Sequence, residues 1–182
     1  MDFAKDTSSQ FDAVISKCRH IFSLKTKDYG TSWRVMRTAT LTDQLYIKAK
    51  RIRTIEETGT HLVEEGVYEE WMAMVNYAIM AIIQHHQNDE ELELESSHAL
   101  ALYDKTMAEV KALMMRKNRD YGEAWREMRI SSYTDMVLTK LQRLRQIEDN
   151  QGSTAISEGP EGHYSDIANY SIFALIRLDE GA

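Results

Sequence analysis

Lys25-Thr26-Lys27-Asp28-Tyr29-Gly30-Thr31-Ser32-Trp33-Arg34-Val35-Met36-Arg37 returns, at an offset of 92, as Lys117-Asn118-Arg119-Asp120-Tyr121-Gly122-Glu123-Ala124-Trp125-Arg126-Glu127-Met128-Arg129. The register persists through Thr42-Asp43 with Thr134-Asp135, Lys48 with Lys140, Arg51 with Arg143, and Glu56 with Glu148. Between residues 25–57 and 117–149, 15 of 33 positions are identical, which identifies a tandem duplication. Two copies in one chain form an internal comparison. A residue present in both serves the shared fold or a shared site, and a residue present once is particular to its copy.

Outward from that stretch, each copy reads as helix, tight turn, short helix, helix, loop, helix. Phe11, Val14, Ile15, Cys18 and Phe22 stand at helical spacing and predict a first helix from about Ser9 to Lys25. Tyr103, Met107, Val110 and Met114 repeat that stripe. Asp28-Tyr29-Gly30 and Asp120-Tyr121-Gly122 read as turns, because glycine enters positive φ without a steric penalty. The second long helix is predicted from the capping residues Thr42-Asp43 to about Glu57, and its twin from Thr134 to Asp149. A last helix follows in each copy, about Gly66 to His86 and Pro160 to Leu178, with the proline in a first turn where no helical hydrogen bond is lost.

From Trp71 to Ile83 that last helix is apolar nearly all round, which places it in the centre of a bundle. The expected fold is therefore all-α: a tandem-duplicated helical bundle with pseudo-twofold symmetry. The repeats span 1–87 and 98–182, and an acidic connector over 88–97 reads as solvated linker or frayed helix end rather than a binding tail. Only one proline and eight glycines in 182 residues agree with a helical chain long enough to bury a substantial core.

A formal charge of −7 argues against a nucleic-acid-binding surface, though an acidic chain can still hold a local cationic pocket for a nucleotide. The single cysteine, Cys18, excludes an internal disulfide framework and suits a reducing, cytoplasmic setting. It falls on an apolar stripe opposite Val110 of the second copy, so a packed core thiol is expected. The opening residues lack a basic segment followed by an apolar one, and no apolar run is long enough for a bilayer, so neither signal peptide nor membrane span is expected.

Chemistry begins where polar residues interrupt the apolar faces. Lys48 projects from the arc formed by Leu41, Leu45, Ile52 and Ile55, and Lys140 does so among Tyr133, Val137, Leu144 and Ile147. Arg51 and Arg143 sit at the stripe's edge. An ammonium facing a core needs an anion, since an unpaired buried charge costs several kcal/mol. On the last helix Glu65, Glu69 and Asn76 share a face. Aligning Asn76-Tyr77 with Asn169-Tyr170 pairs Glu65 with Glu158, Glu69 with Gly162 and Ala73 with Asp166. The shared pattern is a carboxylate at every fourth position, from which each copy has lost a different member. Inward carboxylates on bundle helices can hold a hard divalent cation. Equally, Lys48 and Arg51 can pair with Glu69 or Asp28 in a purely structural network. Trp33, Trp125, Met36 and Met128 fit core packing better than base stacking. None of the histidines recurs between the copies.

The Lys-x-x-Asp-Tyr-Gly-x-x-Trp-x-x-Met-Arg stretch, the Lys-x-x-Arg helix and the acidic helix ending in Asn-Tyr resemble the nucleotide modification associated domain, a family that can occur as a tandem pair. That family is distantly similar to the all-α nucleoside triphosphate pyrophosphohydrolases, including MazG-like enzymes. The resemblance implies a Mg²⁺-dependent pyrophosphohydrolase-like protein acting on a (deoxy)nucleoside phosphate. It makes Glu65, Glu69, Glu158 and Asp166 candidate metal ligands, Glu69 and Asp166 the catalytic pair, and Lys48, Arg51, Lys140, Arg143, Lys25 and Lys117 candidate phosphate contacts. Asp28, Asp120, Asn76 and Asn169 are further recurring candidates. Two other readings stand beside it: a non-catalytic nucleotide-binding or sensing protein, and a structural helical module with an internal salt-bridge network. A monomeric pseudo-dimer and a homodimer both fit the duplication.

Overall fold

The computed structural model describes residues 6–60, 66–87, 91–156 and 159–182. Six helices carry the fold, with no strand among the described residues: α1 Thr7–Tyr29, α2 Thr38–Thr58, α3 Val67–His86, α4 Ser96–Tyr121, α5 Ile130–Asp149 and α6 Pro160–Asp179. Single 3-10 turns, Ser32–Val35 and Ala124–Glu127, supply the short helices expected after each glycine. No described helix is long and apolar enough to cross a membrane.

The two all-round apolar helices form the centre. α3 and α6 pack on each other more extensively than any other pair. Trp71, Met74, Val75, Ala78 and Ile79 of α3 and Ile167, Ala168, Ile172 and Leu175 of α6 are all fully buried. Burying one such aliphatic side chain contributes roughly 1.5–3 kcal/mol, so this seam supplies a large share of the core. α2 lies along α3 and α5 along α6, while α1 and α4 pair with each other beneath them.

Contacts between the copies are reciprocal, as in an isologous interface. Across α2 and α5, the Thr42 hydroxyl donates to Glu148 at 2.7 Å and that of Thr134 to Glu56 at 2.6 Å. Arg145 reaches Asp43, and Arg53 reaches Asp135. Across α1 and α4, Arg19 pairs with Asp104 and Lys111 with Asp12. Each pair maps onto the other at the offset of the duplication. The exposed pairs contribute little energy singly, and their value lies in fixing register.

Local boundaries differ from expectation in two informative places. α1 runs on through Asp28-Tyr29 and breaks only at Gly30, whose φ of 68° ends it. Likewise α4 ends at Gly122 in the left-handed region. α2 begins at Thr38, before the expected cap, and Thr42 lies inside it with its hydroxyl bonded to the Thr38 carbonyl and, across the interface, to Glu148. The connector is also less free than its composition suggests. The Leu94 N–H donates to Thr31 and the Glu91 carbonyl accepts from Arg34, so its last residues dock on the first copy's turn.

Each turn is clamped from the last helix. Gln84 donates to the carbonyls of Arg34 and Met36, and Arg177 donates to those of Arg126 and Met128. These clamps hold Trp33 and Trp125 inward, each 6% exposed.

Burial lifts the Glu148 carboxyl above its ordinary range, and hydrogen bonds from Thr42 and Tyr164 offset this only in part. A raised folded-state pKa gives stability present below the unfolded value and lost as pH rises through the folded one. Glu148→Gln keeps the acceptor and removes that loss. It should raise the melting temperature at pH 7 by about 1–3 °C, with the gain fading toward pH 4, as read by thermal denaturation at the two pH values.

Candidate functional site

In the first copy the C-terminal half of α1, the turn, α2 and the stretch of α3 from Glu69 to Met80 line a cavity of about 590 Å³. Its apolar wall comes from Phe22, Trp33, Met36, Met72, Ala73 and Met80, and its polar wall from Lys25, Lys48, Glu69, Glu70, Tyr29 and Tyr77. The duplicated stretch thus contributes Lys25, Tyr29, Gly30 and Trp33 to a single concave surface. Burial, with Tyr77 and Asp28 nearby, raises the Tyr29 phenol above its ordinary value, so it stays protonated at neutral pH.

The acid at the centre of this site is Glu70. It is 2% exposed, and its Oε1 accepts from Lys48 at 3.3 Å and from Arg51 at 2.8 Å. Its Oε2 is buried without a hydrogen-bond partner. Glu70 does not belong to the acidic row that the copies share, so that row does not reveal it. The helical stripe does mark it: Glu70 lies four, eight and twelve residues before Met74, Ala78 and Ile82, all buried. Glu69, one residue earlier and about 100° around the helix, is exposed, and its carboxylate accepts the Gly66 N–H at 3.0 Å, capping α3.

The second copy builds the corresponding place differently. His163, 4% exposed, stands where the first copy has Glu70. Asp166, the counterpart of Ala73, accepts from Lys117 at 2.7 Å through Oδ1 and from Lys140 at 2.9 Å through Oδ2. Phe173, the counterpart of Met80, stacks on Trp125 with ring centroids 4.2 Å apart and planes 6° from parallel. Lysines from the C-terminal end of the first helix and from the second helix of each copy therefore converge in both, on a cavity that Glu70 also lines in one and on the Asp166 carboxylate in the other.

The remaining candidates separate from this chemistry. Asn76 and Asn169 are backbone ties. Asn76 donates to the Cys18 carbonyl at 3.0 Å and accepts from Tyr103 at 2.7 Å. Asn169 donates to the Val110 carbonyl at 3.3 Å, the equivalent point of the second copy. Its Oδ1 has no hydrogen-bond partner, because the residue matching Tyr103 is Phe11, which has no hydroxyl. Asp28, Asp120 and Arg143 are exposed. Cys18 is fully buried, and burial pushes its thiol up to about 12, in keeping with a core role.

Glu65 and Glu158 lie outside the described residues. Among the described residues, no three His, Cys, Asp or Glu side chains converge. Mg²⁺ asks for several oxygen donors in near-octahedral array. Here Asp166 is neutralised by two lysines, Glu70 by a lysine and an arginine, and Glu69 is spent on a helix cap. The described carboxylates do not fit a Mg²⁺ site.

A family model described as nucleotide modification associated domain 1 matches residues 25–85 and 117–178. Neither the curated proteins nor the solved structures contain a match.

The two asparagines should differ in energetic weight. Asn76→Leu strands a buried tyrosine hydroxyl as well as losing its own bonds and should cost about 2–3 kcal/mol, whereas Asn169→Leu should cost about 1 kcal/mol. Urea denaturation of the two variants gives the comparison, and equal costs would contradict the assignment.

Proposed function

We propose that this chain, which belongs to the nucleotide modification associated domain 1 family through both of its repeats, binds a nucleotide in the cavity of its first repeat. The observation that carries the reading is the makeup of that cavity: an aromatic and thioether wall, two lysines, and a buried acid paired through one oxygen to Lys48 and Arg51 that keeps the other oxygen without a partner. Its volume of about 590 Å³ falls within the range of small-ligand sites. Lys25 and Lys48 supply positive charge for phosphate oxygens. The Glu70 Oε2 supplies an acceptor for a ring N–H, since a buried carboxylate oxygen left unsatisfied costs about 1–3 kcal/mol or more. Trp33 and Met80 give the ring an apolar wall, and Met80 is deformable enough to accommodate it.

Binding is preferred to Mg²⁺-dependent hydrolysis for a chemical reason. A carboxylate held by ammonium or guanidinium groups is a poor ligand for a second cation, and both inward-facing described acids are held in that way.

Calorimetric titration of the full chain with canonical and base-modified deoxynucleoside mono- and triphosphates, with and without Mg²⁺, tests the proposal. At least one nucleotide should bind without pyrophosphate or phosphate release. Lys48→Ala should weaken that binding about ten- to a hundredfold, the worth of one charge-assisted hydrogen bond. Lys140→Ala should leave it unchanged. Absence of binding throughout the panel would remove the proposal, and Mg²⁺-dependent turnover would replace it with the hydrolase reading.

A further inference from the structure

The second repeat holds, from its own side chains, the two kinds of group that a nucleotide would bring to the first. Between Lys117 and Lys140 sits the Asp166 carboxylate, one oxygen to each ammonium at 2.7 and 2.9 Å, with its side chain 9% exposed. Against Trp125 lies the Phe173 ring, stacked at 4.2 Å. Both come from α6, two turns apart on one face. In the first repeat the same positions of α3 carry Ala73 and Met80, and both line the cavity with Lys25, Lys48 and Trp33. Among the described residues Lys25 has no ion-pair or hydrogen-bond partner. The first repeat therefore keeps the two cations and the tryptophan, with Lys48 paired to Glu70, but has no carboxylate at the position of Asp166 to join Lys48 to Lys25.

We propose that Asp166 is a built-in substitute for the ligand's anionic group, and that the first repeat binds a phosphate or pyrophosphate group bridging Lys25 and Lys48 in the space beside Ala73. The chain then takes one ligand, because its second site is occupied internally. This rests on the reading of the first cavity as a nucleotide site and adds where the anion sits and why the second repeat does not bind one. The physical basis is shared by both repeats. Two ammonium groups on one concave surface repel each other; Glu70 joins only Lys48 in the first repeat, so a phosphate oxygen pair can link Lys48 to Lys25 as the Asp166 carboxylate links Lys140 to Lys117.

Lysine acylation of the full chain, followed residue by residue by mass spectrometry with and without inorganic pyrophosphate, tests this. In the wild type, pyrophosphate should slow acylation of Lys25 about tenfold and leave Lys117 unaffected, since Lys117 is already paired. In Asp166→Ala, pyrophosphate should protect Lys117 as well. Asp166→Asn removes the charge at nearly constant shape and serves if the alanine variant does not fold. Ala73→Asp should make Lys25 slow to react and indifferent to pyrophosphate. A folded Asp166 variant in which Lys117 gains no protection would overturn the proposal, as would an Ala73→Asp chain whose Lys25 still responds to pyrophosphate. Protection of Lys117 in the variants without protection of Lys25 in the wild type would overturn the nucleotide reading of the first repeat and leave Asp166 supported as the substitute anion.

Discussion

α3 and α6 carry apolar residues around most of their circumference, and a helix of that kind must be covered on every side. Packing them on each other buries one flank of each, and the other four helices cover the rest. That requirement fixes the position of everything else. α2 and α5 are drawn along the central pair, which points Lys48 and Lys140 inward among aliphatic neighbours. The turns are drawn against the C-terminal ends of α3 and α6, where Gln84 and Arg177 hold their carbonyls. A lysine that faces inward then needs an anion, and the two repeats meet that need with different residues.

The difference rests on a few positions of the central helices. Glu70 against His163, Ala73 against Asp166 and Met80 against Phe173 are the substitutions at the mouth of each repeat. Together they open one site and fill the other, while the reciprocal contacts between α2 and α5 and between α1 and α4 stay intact. Divergence of this kind is cheap for the fold.

Much of the fold was legible in the sequence because its signals are periodic. Phe11 to Phe22 and Leu41 to Ile52 follow the helical stripe, and Pro160 and Gly66 mark helix starts where the structure has them. The duplication supplied the equivalence of Lys25 with Lys117 and of Lys48 with Lys140, and these lysines do converge on matching places. Partnerships across the interface were not legible. Thr42 looked like a helix cap, yet its hydroxyl is claimed by Glu148, a contact that depends on how the copies dock. Glu70 lies outside the acidic row shared by the copies, although the buried stripe of α3 runs through it. Asn76 and Asn169 recur because each ties its last helix to the backbone of its first, a structural need that makes a residue look as persistent as a functional one.

The central claim is that two equivalent frameworks present one open site. Native mass spectrometry of the full chain with canonical and base-modified deoxynucleoside mono- and triphosphates counts ligands directly. The account predicts that at least one of them saturates at a single molecule per chain. Two molecules per chain, or none with any member of that panel, would contradict it.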